Sequence, residues 1–138
     1  MKIILVCFIL FASACMAHGQ DIFKEKLIWK VNHLLDQSSQ QDFDYKCTFR
    51  TEGIQNIFWL QKKDQFSTTL NITGINGSWS NISVIGKVVY SIATGTETGT
   101  LIFERTSSGL FMYINLSQGS APRMDYKFSV SQVIPANP

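Results

Sequence analysis

Residues 21–36, DIFKEKLIWKVNHLLD, and residues 43–50, FDYKCTFR, decide the fold between them. In the first stretch Phe23, Leu27, Val31 and Leu34 recur at helical spacing, and Ile28 and Leu35 widen the stripe. Asp21 stands where an N-cap, or a charge favoured by the positive end of a helix dipole, belongs. The spacing predicts one helix over 21–36, broken by QSSQQ at 37–41. In the second stretch Phe43, Tyr45, Cys47 and Phe49 alternate with Asp44, Lys46, Thr48 and Arg50. That period of two marks a half-buried strand.

The chain beyond residue 41 continues as strand and turn. Strands are expected at 54–61, 65–73, 79–92, 99–105, 110–117 and 125–134, with a bend at Gly86. Glu52-Gly53, Lys62-Lys63-Asp64, the loop from Gly74 to Ser78, the turn from Thr94 to Thr98 and Thr106-Ser107-Ser108-Gly109 separate them. Connections this short make neighbours antiparallel. The expected fold class is therefore α+β, mainly β. An N-terminal helix is followed by a curved antiparallel meander of about seven strands, forming a barrel or half-barrel with the helix on its concave face or plugging one end.

Working outward, Met1-Lys2 precedes an unbroken apolar run from Ile3 to Ala14 and a small-residue exit at Ala17-His18-Gly19. This is the layout of a secretory signal, too short for a membrane span. The expectation is a signal peptide over 1–19, a single domain over 20–138, no transmembrane segment and a secreted or periplasmic location. A second cleavage reading competes: Ala12-Ser13-Ala14-Cys15 resembles a bacterial lipobox, with Ala12 where Leu is usual, and would anchor the chain by a lipid on Cys15.

Loss of Lys2 leaves 11 basic against 10 acidic residues, and no basic run exceeds Lys62-Lys63. Nucleic acid is excluded as a partner on that ground. Cys47 is then the one thiol of the domain, which favours a bacterial envelope over a disulfide-built extracellular module. Four Asn-x-Ser/Thr sequons, at Asn71, Asn76, Asn81 and Asn115, keep a eukaryotic pathway open and would be glycosylation sites there. A Ser/Thr/Asn-rich turn composition supplies such sequons as well.

Several strands are apolar on both faces: Ile57-Phe58-Trp59-Leu60, Val88-Val89-Tyr90, Leu101-Ile102-Phe103 and Leu110 to Ile114. A sheet with one wet face should alternate. Something is therefore expected to cover the second face: a well-filled core, a ligand, a partner protein or a second copy of the chain. The candidate apolar ligand-binding residues are Trp59, Phe58, Trp79, Tyr90, Phe111 and Tyr113, with Trp79 as a rim position beside its Gly/Asn loop.

Reactive constellations are sparse. His33 is the domain's one histidine, and pairing it with Cys47 as a nucleophile has no local pattern behind it. There are too few His and Cys for zinc, and Asp42 and Asp44 lack the oxygen-rich loop that calcium needs. Neither metal nor cofactor is expected. The Thr/Gly run at 94–100 lacks the lysine and helix of a phosphate loop. Asp44, Glu97, Glu104 and Asp125 could serve a carboxylate hydrolase only by converging in space.

In layout alone, a leading helix and then a curved antiparallel sheet, the chain resembles small periplasmic half-barrel carriers and lipocalin-like barrels. The resemblance transfers no residue. The leading functional expectation is a non-enzymatic binding or carrier domain for an apolar or lipid-like ligand held between helix and sheet. The alternatives are an interaction module associating through an apolar sheet face, including a homodimer, and a small carboxylate-dependent hydrolase.

Overall fold

The computed structural model describes residues 20–136. The signal expected over 1–19, and with it Cys15, lies outside them. The described chain is all-β: eight strands in sequence order form a closed antiparallel barrel. They are β1 (Lys26–Asp36), β2 (Gln41–Glu52), β3 (Asn56–Gln61), β4 (Phe66–Asn76), β5 (Gly86–Thr94), β6 (Glu97–Thr106), β7 (Gly109–Gln118) and β8 (Ala121–Pro135). Each pairs with the next, and β1 pairs with β8 to close the ring. Closure removes the free edges that an open sheet would expose. No described helix is long and apolar enough to cross a membrane.

The expected N-terminal helix is absent, which corrects the fold class from α+β to all-β. Residues 26–36 are β1, hydrogen-bonded to β2 on one side and β8 on the other. Leu27, Trp29 and Val31 are buried in strict alternation. The register then shifts between Val31 and His33, and the inward set resumes at Leu34. That irregularity makes Leu27, Val31 and Leu34 fall at i, i+4 and i+7, so a strand imitates a helix stripe. Two neighbouring strands supply ladder partners on both sides of this segment.

A second correction concerns residues 79–85, expected as the start of a strand. They form the loop between β4 and β5. Asn81 Oδ1 accepts from the Ser83 backbone N–H at 2.9 Å, an Asx turn that competes with strand geometry. Trp79 and Ile82 are nonetheless buried. They fold inward over one end of the barrel, where Ile82 N–H meets Gln20 C=O at 3.0 Å and Trp79 Nε1 donates to Val84 C=O at 3.1 Å. Gly86 allows this: a Cβ there would come within 2.3 Å of the Trp79 ring.

The two ends of the barrel therefore differ. At the closed end the N-terminal segment brings Ile22 to full burial beside Ile82 and Trp79. Behind them lie Trp29 and Phe103, ring centroids 4.6 Å apart, and Tyr90 edge-on to Phe103 at 5.7 Å. At the other end the short β1–β2, β3–β4, β5–β6 and β7–β8 connections leave the interior open.

Three of the outer aromatic rings are covered from within the chain. Arg50 lies over Phe58 at 4.8 Å, and Lys127 lies over Phe111 at 4.2 Å and Tyr113 at 5.6 Å. Their alkyl stems shield ring surface while the charges stay wet.

Candidate functional site

The open end holds a cavity of about 530 Å³, within the range of small-molecule pockets. Inward alternation supplies its walls. Leu34 and Asp36 come from β1, Phe43 and Tyr45 from β2, Trp59 and Gln61 from β3. Thr68 of β4, Thr94 of β5, Glu97 of β6, Leu116 of β7 and Met124 and Tyr126 of β8 complete the ring. Every strand thus contributes, as a barrel mouth requires.

The floor is aromatic. Trp59 stacks on Phe49 at 5.4 Å with ring planes 12° apart. Phe128 meets both edge-on, at 5.7 Å from Trp59 and 5.3 Å from Phe49. Phe49 and Phe128 have no exposure, so this cluster marks where solid core gives way to cavity.

The polar groups of the lining are unevenly satisfied. The Tyr45 hydroxyl donates to Gln61 Oε1 at 2.8 Å. Burial pushes that hydroxyl up to about 12, with lesser contributions from Cys47 and Tyr126. Burial likewise pushes the Cys47 thiol up to about 12. Both stay neutral and unreactive in ordinary conditions. The Trp59 indole N–H lies close enough to favour either anion, yet it closes no hydrogen bond to the neutral groups. An unpaired buried donor costs about 1–3 kcal/mol.

At the rim, Asp36 Oδ1 accepts from Ser38 N–H at 3.0 Å, Ser38 Oγ at 2.8 Å and Ser39 N–H at 3.3 Å. These bonds, led by the Ser38 hydroxyl, hold its carboxyl below the usual range. Glu97 pairs with Arg123. No Lys, Arg or His lines the cavity.

Of the six apolar candidates, Trp59 alone lines this cavity. Trp79, expected at a rim, is buried at the closed end. Tyr90 is buried in the core, its hydroxyl unpartnered and its pKa raised by burial and by Asp21. Phe58, Phe111 and Tyr113 face outward beneath Arg50 and Lys127. The contributions of Phe43, Tyr45, Leu116, Met124 and Tyr126 escaped the sequence reading, although the alternation of Phe43 with Tyr45 was there to be followed inward.

Among the carboxylates weighed for hydrolysis, only Glu97 lines the cavity. Asp44 is fully exposed, Glu104 sits on an outward register position, and Asp125 accepts from the Gln37 side chain at 3.0 Å. His33 is flanked by Asp42 and Asp44 on the outer face, 3.7 Å separating Nδ1 from Asp44 Oδ1. No group of three or more metal-ligating residues occurs among the described residues. The sequon asparagines Asn71, Asn76 and Asn115 are exposed, and Asn81 is half-buried in its Asx turn.

No known protein family, curated protein or solved structure matches this chain.

Proposed function

We propose that this protein is a non-enzymatic binding or carrier domain that holds a small, largely apolar molecule in the open end of its barrel. The observation that carries the reading is the asymmetry of the two ends: one is plugged by Ile22, Trp79 and Ile82, the other opens onto an aromatic floor. A barrel that existed only to be a stable core would gain by filling both ends, since every void forfeits packing contacts. The ligand sits inside the barrel, not between a helix and a sheet.

Native mass spectrometry and solvent extraction of the purified protein test the reading. A co-purifying small molecule, lost in Trp59→Ala, is the expected result. Protein that is empty from every source, and that refuses the neutral dye N-phenyl-1-naphthylamine, overturns it.

A second reading, association through the closed end, is favoured by Ile54, Ile75, Val84 and Ile85, which are exposed there. Light scattering decides it: a monomer at high concentration removes self-association through that end.

A further inference from the structure

We propose that Gln20 is a modification site: the exported chain begins there, and its end is closed into a neutral pyroglutamate that forms part of the barrel's plug. This goes beyond the carrier reading and does not depend on it.

The sequence supplies the site. Cleavage of a secretory signal after Ala17-His18-Gly19 leaves Gln20 first. A glutamine in first position carries its own electrophile. The α-amine attacks Cδ of the side-chain amide, and an N–Cδ bond forms. The Cδ–Nε2 bond then breaks, and its nitrogen leaves as ammonia with the proton that the amine gives up. Nothing is oxidised or reduced, and no co-reactant is consumed. The five-membered lactam that remains carries no charge.

The fold holds this end in place. Gln20 is half-buried at the closed end, where its C=O accepts from the Ile82 N–H at 3.0 Å. Next along the chain, Asp21 C=O accepts from the N–H groups of Lys24 and Glu25 at 3.2 and 3.0 Å. Ile22 follows at full burial. The end of the chain is thus docked from both sides. Ring closure uses only the α-nitrogen and the side chain of Gln20, so it leaves the bond to Ile82 intact.

The surroundings distinguish the two forms of the end. Gln20 lines a cavity of about 320 Å³ together with Ile82, Ser83, Arg105, Leu110 and Val130. No acidic side chain lines it. Arg105 has no ion-pair partner among the described residues, and its Nε donates to Ile82 C=O. A free α-ammonium would add a second positive charge to a hollow that holds no negative one. Asp21, the neighbouring acid, is already engaged: Oδ1 accepts from the Phe23 N–H at 2.9 Å, and Lys24 Nζ lies 3.9 Å from Oδ2. The lactam removes the charge and keeps a carbonyl, the kind of acceptor that Arg105 already uses on Ile82.

Peptide mass spectrometry of the protein taken from the cells that export it tests this. The first tryptic peptide, Gln20–Lys24, is expected about 17 Da light, one ammonia below the unmodified sequence. A heavy-isotope Gln20–Lys24 peptide added at lysis reports closure caused by handling. A free Gln20, a closed fraction no larger than that of the added peptide, or a chain beginning elsewhere, lipidated Cys15 included, overturns the proposal. The part played in the plug is read on chain released from a fusion cut immediately before Gln20. One sample is closed by a glutaminyl cyclase while unfolded, then refolded beside the untreated chain. Closure is expected to raise the melting temperature by about 2–4 °C. An unchanged or lower value overturns the place of the ring in the plug.

Discussion

Trp29 donates its indole N–H to the Thr51 hydroxyl at 3.0 Å, and both residues are fully buried. Thr51 is the one buried polar residue of the described core, so its hydroxyl is there as an acceptor for that indole. Trp59, facing the cavity, has no such partner. The contrast separates a tryptophan completed by the fold from one left incomplete by it.

Thr51→Val is therefore expected to destabilise the barrel by about 1–3 kcal/mol, the cost of stranding a buried donor, although it keeps the side chain's shape. Thr51→Ser, which keeps the acceptor, should cost less. Denaturant unfolding of both variants checks the order; equal losses would mean that packing, not the hydrogen bond, is what Thr51 supplies.

Gly86→Ala should loosen the closed end. The added methyl has no room beside the Trp79 ring, so the ring or the β4–β5 loop must move. Overpacking of this kind costs about 1–3 kcal/mol. A lowered melting temperature together with a red-shifted tryptophan emission is the expected signature.

Stability should fall in alkali. Cys47 is raised from 9.0 and Tyr45 from 10.0, each to about 12, so between those values the folded chain holds protons that the unfolded chain releases. Stability from both groups is complete below pH 9 and declines as pH rises towards 12. Melting curves across that window test the sign, and Cys47→Ala should flatten the onset. The same burial predicts that Cys47 ignores thiol reagents until the protein is unfolded.

The β3–β4 turn carries Lys62, Lys63 and Asp64 at φ of 48°, 54° and 67°. Left-handed backbone costs a side-chain-bearing residue roughly 1–2 kcal/mol. Lys63→Gly should recover part of that and raise the melting temperature. An unchanged or lower value would mean that glycine's greater freedom in the unfolded chain cancels the gain.

Much of this architecture could be read in the residues. Phe43 to Arg50 alternates without interruption, and β2 follows from it directly. β1 misled because apolar residues at 27, 31 and 34 satisfy a helix as well as an interrupted strand. The counter-signal was Leu27-x-Trp29-x-Val31, rich in the aromatic and β-branched types that strands favour. The loop at 79–85 misled because Trp79 and Ile82 are apolar yet buried from irregular backbone. The cavity was the least legible. In a run apolar on both faces, such as Ile57 to Leu60, composition does not say which parity faces inward, and only barrel closure sends Trp59 in and Phe58 out. Asp36 and Glu97 stand at strand ends, where a solvated charge and a site residue look alike.

The shift in register between Val31 and His33 gives β1 two independent phases on one backbone. Residues towards the closed end obey one parity, and Leu34 and Asp36 at the mouth obey the other. One strand thereby serves both the packed interior and the cavity wall, with Leu34 belonging to each. A substitution there is felt on both sides at once.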